Sequence, residues 1–216
     1  MAITTLNIAG TTWTVNASLK RFAGYPRKTP IRFDYPLRGE HGVISNEDIA
    51  RTHAVSSRIS HAERDYFIDR AADAPWIAQE ADLADADPNE RGGLFDAMTD
   101  LFWHFEEHAP SGVAFAKISK VLHLKHPAAF PIIDKRVKAA YRPAAKALNE
   151  THPELGWRRR TWIAVRRDLI SARANGAMSE LRTAVKNYES DDVAKRHRVR
   201  KMAQLTDLRL LDILTW

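Results

Sequence analysis

The sequence predicts a mainly α protein: a single helical domain with a short β-hairpin at its N-terminus. Two observations indicate this fold class. The first 15 residues are rich in β-forming side chains, and apolar residues recur at helical spacing from about residue 45 onward. The chain of 216 residues is 44% hydrophobic, which is enough for one sizeable packed domain. We therefore predict one domain over 1–216, with a β-hairpin at 1–16, a loop at 24–44 and helices over 45–216.

The hairpin prediction comes from two β-rich runs, TTLNI and TTWTV, which Ala9 and Gly10 join as a short turn. The following segment is rich in residues that interrupt regular structure, and we expect it to form a loop. These residues are Pro26, Pro30, Pro36, Gly39 and Gly42.

Helix signals begin at Ser45, a favourable N-cap with Asp48 three residues later, and predict a helix to about Ser57. A second helix is expected over 62–72. The clearest amphipathic helix precedes Pro110, and its apolar positions are Leu94, Met98, Leu101, Phe102 and Phe105.

Further helices are expected after Gly112, from Asp134 to Tyr141, and from Trp157 to an Asn-Gly stop. Pro143 should restart or kink the chain. Two or three more helices should follow, and the last carries an apolar stripe that should dock in the core. This stripe consists of Leu208, Leu211, Leu214 and Trp216.

The composition excludes several functional classes. Because the chain has no cysteine, it cannot form disulfides, cysteine zinc sites or thiol nucleophiles. The first 15 residues lack the basic flank and apolar run of a signal peptide, and no apolar run is long enough to span a membrane. We expect a soluble cytoplasmic protein that has no membrane partner, cofactor or metal.

The charge is divided unevenly along the chain. Residues 1–110 contain 11 Lys and Arg and 17 Asp and Glu, a net charge of −6, whereas residues 111–216 contain 22 and 10, a net charge of +12. Such asymmetry is typical of a protein that binds a polyanion, or of two halves that face each other.

Asp134 stands where the apolar segment FPII meets a basic helix. One interpretation is structural, because an Asp at this position accepts hydrogen bonds from the first helical turn and its charge suits the helix dipole. The other is catalytic, because the same geometry keeps a carboxylate ionised beside a basic groove. There it could stabilise a developing cation or orient a water molecule.

Lys117 and Lys120 lie on the helix before Asp134, close enough in sequence for a helix–loop–helix to bring one of them near it. Burial can lower the pKa of a lysine and make its amine nucleophilic. The simpler interpretation is a solvated or phosphate-binding lysine. Both interpretations remain open.

Two basic segments, WRRRTWIAVRR and KRHRVRK, are the strongest physical signal. Arginine matches phosphate oxygens and tryptophan rings can stack on bases, which predicts nucleic-acid binding. A solvated face, or one neutralised by the acidic first half, is the alternative. The predicted binding residues are Arg158, Arg159, Arg160, Trp162, Arg166, Arg167, Lys195, Arg196, Arg198 and Arg200.

Histidines occur in two metal-like spacings, HFEEH at 104–108 and the pair His123 and His126. The first matches an inverted zinc-peptidase pattern. However, the helix should end near Pro110 and no third ligand is identifiable, so we interpret these histidines as ordinary helix residues.

Three blocks in order, FDYP…VISNEDIARTHAVS, SKVLHLKHPAAFPIIDKRVKAAY and LRLLDILTW, resemble an actinobacterial family that is known only as a domain of unknown function. The resemblance extends from about Phe33 to the C-terminus. It implies no established activity.

The passage HPAAFPIID also resembles the Pro-to-Asp passage of helix-hairpin-helix DNA glycosylases, with one extra residue between Pro131 and Asp134. This similarity implies that Asp134 is the catalytic carboxylate and Lys120 or Lys117 the amine. The glycine-rich hairpin of that family is absent, since PSGVAFAKISK retains one glycine.

Two functional hypotheses follow. The first is a nucleic-acid-associated protein, with DNA as the partner, that removes a flipped base near Asp134 as an N-glycosylase does. The second is a non-catalytic helical module that binds a protein or small partner, with the basic half directed at an acidic surface.

Overall fold

The computed structural model describes residues 4–36 and 38–216. It confirms the predicted fold class, a mainly α protein with an antiparallel β-hairpin near its N-terminus. Residues 1–3 of the predicted hairpin and Leu37 of the predicted loop lie outside the described residues.

The hairpin consists of β1 (Thr5–Ile8) and β2 (Thr11–Thr14), with Leu6 opposite Trp13. Ala9 and Gly10 form the turn at φ 51° and 78°. Positive φ at both central residues matches the turn to the twist of the strands, although it strains Ala9.

Helix α1 (Val15–Gly24) follows the hairpin directly, so Val15 is helical and not the end of a strand. The Thr14 side chain accepts a hydrogen bond from the Ala17 N–H at 3.2 Å and caps this helix. A hydroxyl cap of this kind satisfies one of the free N–H groups of the first turn.

The helices of the middle of the chain are short and separated by turns. They are a π-helical turn at Pro30–Asp34, α2 (Asn46–Arg51) with a 3-10 turn at Thr52–Val55, α3 (His61–Ala71), a 3-10 turn at Leu83–Asp85, α4 (Leu94–Glu106) and α5 (Phe115–Lys125). The predicted Ser45 capping box is present at the start of α2.

The remaining helices are α6 (Lys135–Ala147), α7 (Trp157–Ala174), α8 (Ala177–Lys186), α9 (Val193–Lys201), a 3-10 turn at Met202–Gln204, and α10 (Asp207–Thr215). Pro143 lies inside α6 without ending it.

The chain divides into two compact units. Residues 28–135 contain 12 Lys and Arg and 18 Asp and Glu, a net charge of −6, and we call them the acidic unit. Residues 1–27 and 136–216 contain 21 and 9, a net charge of +12, and form the basic unit. The boundary between the units therefore nearly coincides with the change in charge.

The acidic unit packs α4 against α3 and α5, and α2 against α3 and α5. The apolar positions predicted for α4 face this core, with the exception of the half-buried Leu94. Its fully buried aromatic residues are Phe33, Phe67, Phe95, Phe105 and Phe130.

The basic unit packs α1 against α8, α9 and α10, and α7 against β1, α8 and α10. Helix α8 contacts both α7 and α9, so the two basic helices share a neighbour. The predicted C-terminal stripe is buried at Leu208, Leu211 and Leu214, and Trp216 is half-buried with its ring edge-on to Tyr25.

Across residues 4–36 and 38–216, none of the helices is both long enough and apolar enough to cross a lipid bilayer.

Candidate functional site

Asp134 immediately precedes α6 and is half-buried. The preceding residue, Ile133, donates its backbone N–H to Ser119 Oγ at 3.3 Å. This buried contact fixes the segment before Asp134 on α5, beside Lys120. The approach of Lys117 or Lys120 to Asp134 itself stays a prediction.

The two predicted lysines differ in their surroundings. Lys117 forms an ion pair with Glu63 at 2.5 Å, and Glu63 also accepts the Ser60 N–H as part of the α3 capping box. Lys117 thus ties α5 to the start of α3. Lys120 is buried, with 6% of its surface exposed, and its catalytic role stays a prediction.

Sequence reasoning missed a buried ionic network in the acidic unit. Asp48 accepts from Lys125 Nζ at 2.8 Å and lies 3.4 Å from the Arg51 guanidinium. Arg51 also donates to the carbonyl of Phe33 at 2.6 Å, and Lys125 to that of Arg38 at 2.7 Å. Burial lowers the pKa of Arg51 and the charge of Asp48 opposes that shift. No sequence spacing reveals this network, because its members lie in three separate segments.

His126 lies in the core of the acidic unit, completely buried, with its ring 5.7 Å from His41 and 5.8 Å from Trp76. Within the described part of the chain, neither ring nitrogen makes a hydrogen bond of normal geometry, although the Ala78 backbone is near enough to favour protonation weakly. Burial, followed by the charges of His41 and Arg38, lowers the pKa of His126 to about 4.

The HFEEH pattern does not place its histidines on one face. His104 Nε2 contacts the Arg70 carbonyl at 2.7 Å, whereas His108 lies beyond the end of α4 and is exposed, at φ 62°. His123 Nδ1 contacts the Phe130 carbonyl at 2.7 Å. Within residues 4–36 and 38–216, no cluster of three His, Asp or Glu side chains could hold a metal.

An open groove lies in the acidic unit, and Asp134 is not among its lining residues. Its lining residues include Asn46, His53, Ser60, His61 and Arg64. Arg64 is engaged by Asp65 at 2.6 Å and by His61 Nδ1 at 3.1 Å. Arg64 thus has a carboxylate partner, although an exposed ion pair of this kind is weak. The lining of the groove does not identify a ligand.

The predicted binding residues of α7 lie on the basic unit with different exposures. Arg167 is exposed and Arg159 is half-buried. Arg160 donates to the side chain of Asn149. Trp162 is 2% exposed, so its ring belongs to the core and the prediction that it stacks on a base has no support here. Arg158 and Arg166 are half-buried.

The cations of α9 are partly engaged by neighbouring groups. Arg196 and Arg200 both contact Glu189, which is itself 70% exposed. Arg198 donates to the Ala23 carbonyl at the end of α1 at 2.8 Å. Lys195 is half-buried. Because exposed ion pairs contribute little stability, Glu189 leaves both arginines able to exchange toward a phosphate.

A second feature that sequence reasoning missed is a carboxylate beneath the hairpin turn. Asp168 Oδ2 on α7 accepts from the strained Ala9 N–H at 2.8 Å and from Tyr141 Oη at 2.9 Å. Burial raises the pKa of Asp168 and, with the charge of Asp168, raises that of Tyr141 well above its usual value. These contacts indicate an anchor for the hairpin.

Comparison with known proteins gives one match. Residues 72–216 match the family of unknown function DUF6308, and two of the three blocks noted in the sequence lie within this range. No curated protein matches, and no solved structure does either. The actinobacterial origin implied by the resemblance stays a prediction. Because the match covers more than half of the chain, the protein belongs to DUF6308, a family of unknown function.

Proposed function

We propose that this protein associates with nucleic acid and contacts the phosphate backbone through its basic unit. One observation carries the proposal: the basic unit has a net charge of +12 within a single compact body. A concentrated positive charge of this size is the electrostatic feature expected of a polyanion-binding surface. A cytoplasmic location forms part of the proposal.

The carboxylates of the basic unit cannot neutralise its cations. There are nine of them for 21 Lys and Arg, and the best placed are already shared. Asp207 holds both Arg173 and Arg182, at 2.8 and 2.5 Å, and Glu189 holds two arginines of α9. The basic unit therefore carries more positive charge than its own carboxylates balance.

Helix α7 supplies the contacts that we expect to matter most. Arg159 and Arg167 are eight residues apart, which separates them by about 12 Å along the helix axis. Guanidinium groups bind phosphate oxygens in a two-pronged geometry, so two such residues can engage phosphates at separate positions on a backbone.

The test is a fluorescence-anisotropy titration of a labelled 20-base-pair duplex at 50 and 200 mM salt. If six to ten phosphates are contacted, the affinity should fall by about a thousandfold or more between these concentrations. The double variant Arg159→Ala, Arg167→Ala should reduce the slope of log affinity against log salt by about 2, because each lost phosphate contact removes about 0.9.

A matched control removes the same charge from the other unit. Arg58 and Arg91 are exposed residues of the acidic unit, and the variant Arg58→Ala, Arg91→Ala should leave the slope unchanged. Absence of duplex binding at 50 mM salt would refute the proposal. An equal reduction of this slope in both double variants would show that duplex binding does not depend on the basic unit in particular.

Within this function, we propose that Asp134 takes part in base excision. The contact from Ile133 to Ser119 supports this, because it holds the Asp134 segment against α5 near the buried Lys120. In such a reaction the carboxylate stabilises the positive charge that develops on the sugar as the base leaves. The glycosidic bond breaks, and water or the Lys120 amine takes the place of the base.

The Asp134→Asn variant tests this chemistry on duplexes carrying damaged or mismatched bases, with circular dichroism as the check on folding. Loss of base release by a folded variant would support catalysis. A loss of about 1 kcal/mol of stability with no change in base release would assign Asp134 to capping alone. Lys120→Met separates the two nucleophiles, since only the amine forms a borohydride-trappable adduct.

A non-catalytic helical module is the second candidate. Trp103 on α4 is 56% exposed, with the exposed Asp100 and Glu107 on either side, and an exposed tryptophan is typical of a protein interface. In this case the basic unit would bind an acidic protein surface. Binding of poly-glutamate, combined with no binding of DNA or RNA at 50 mM salt, would favour the module.

A further inference from the structure

The exposure of the aromatic residues in the basic unit indicates whether this unit suits single-stranded or duplex nucleic acid. Proteins that hold single strands combine cations with aromatic side chains on which successive bases stack. Four aromatic residues of the basic unit are buried and present no face to solvent. These are Phe22, Tyr25, Tyr141 and Trp162.

The other four rings of this unit are half-buried, and neighbours cover at least two of them. Lys138 Nζ lies 4.1 Å from the centre of the Trp157 ring, and Trp216 packs edge-on to Tyr25 at 6.2 Å. Trp13 and Tyr188 are the remaining two. Among the described residues, the exposed aromatic ring belongs to Trp103 of the acidic unit.

We infer that the basic unit recognises duplex nucleic acid through its phosphates and has little affinity for unpaired bases. This inference rests on the proposed function and narrows its ligand. A duplex carries about one negative charge per 1.7 Å of axis, and it releases more counterions per phosphate contact than a single strand does. A surface with many cations, whose described aromatic rings are all buried or half-buried, gains most from the more highly charged form.

The test compares a 20-base-pair duplex with a 20-nucleotide single strand that cannot pair with itself, at about 100 mM salt. With about six phosphate contacts, the difference in counterion release favours the duplex by about tenfold. The tryptophan fluorescence should change little on duplex binding. The variant Trp157→Leu should retain duplex affinity, because its ring is not a stacking platform.

The possible outcomes distinguish the preference for duplex from the association with nucleic acid itself. Binding of the single strand equal to or tighter than that of the duplex, with quenched tryptophan fluorescence or a loss in Trp157→Leu, would overturn the inference and leave the proposed function standing. Failure of both nucleic acids to bind at 50 mM salt would overturn the proposed function and the inference with it.

Discussion

The two units of the chain use their charged residues differently. In the acidic unit, key carboxylates are buried and engaged: Asp48 holds Lys125 and Arg51, and Glu63 holds Lys117 while it caps α3. In the basic unit, Arg209 and Asp212 form a buried ion pair at 2.5 Å, Asp207 and Glu189 each hold two arginines, and the cations outnumber the acids by 21 to 9.

The difference shows that net charge and available charge are separate properties. The −6 of the acidic unit includes carboxylates that serve its own helix starts and ion pairs, whereas the +12 of the basic unit is the excess of its 21 cations over its nine carboxylates. Buried ion pairs determine local structure, and surplus surface charge attracts partners. Charged residues therefore have structural roles in both units, and the surplus cations of the basic unit have, as we propose, a binding role as well.

The largest expected effect tests the burial of the acidic-unit network. Asp48→Ala would leave Lys125 and Arg51 as buried cations without their carboxylate, and we expect a loss of about 3–5 kcal/mol in the free energy of unfolding. The matched variant Asp207→Ala in the basic unit should lose about 1 kcal/mol, because its arginines are about one third exposed. Urea denaturation measures both values, and equal losses would contradict the contrast.

The next largest expected effect is the dependence of stability on pH that the buried His126 of the acidic unit produces. His126 is protonated at a pKa of about 4 in the folded protein and near 6.5 when unfolded, so the unfolded chain binds more protons between these values. Its contribution to stability is therefore complete above pH 6.5 and is lost as the pH falls toward 4. The expected change is about 3 kcal/mol.

The control for this titration is His126→Phe, which keeps an aromatic ring beside His41 and Trp76 but cannot titrate. Its stability should vary less between pH 6.5 and 4 than that of the natural chain. An unchanged pH profile in the variant would assign the dependence to other groups.

Gly112 tests how tightly Glu63 is held. Its φ of +98° disfavours any side chain, and a Cβ at this position would meet Glu63 Oε1, which bonds Lys117. We expect Gly112→Ala to lose about 2 kcal/mol or more. Gly92→Ala is the matched control, because Gly92 also has a positive φ of 69° but has open space around its Cβ. If thermal unfolding shows equal losses of stability in the two variants, Glu63 can move away from the new Cβ at little cost.

The smallest expected effect on stability belongs to the basic surface. Arg159→Ala together with Arg167→Ala should change the free energy of unfolding by less than about 1 kcal/mol, because Arg167 is exposed and Arg159 is only half-buried. The same substitutions should produce the largest change in salt-dependent binding. A stability loss of about 2 kcal/mol or more, measured by urea denaturation, would place the two arginines in the structure instead.

The sequence predicted the helices whose local signals are strong. The apolar spacing from Met98 to Phe105 identified α4, the Ser45 capping box identified the start of α2, and the Asn-Gly stop identified the end of α7. Helix α1 escaped prediction because the β-branched run TTWTV continues into its first residue, Val15, while Thr14 is both the last residue of β2 and the cap of α1. The local propensity of this run favoured a strand, but the strand ends where the Thr14 side chain caps α1.

The polar interior could not be predicted in the same way. The partners of Asp168 lie 159 and 27 residues away, and Lys125 reaches Asp48 across the acidic unit. Such contacts depend on the packing of distant helices, which no local pattern encodes. The positive charge of the C-terminal half was readable from composition, but the burial of Trp162 and the sharing of Glu189 were not.

The most direct measurement of the central claim is a lysine-reactivity footprint of the protein with and without a bound 20-base-pair duplex at low salt. The account predicts that Lys186 and Lys195 of the basic unit become protected from acetylation, while the exposed Lys28 of the acidic unit stays reactive. Protection at Lys28 with unchanged reactivity at Lys186 and Lys195 would contradict it.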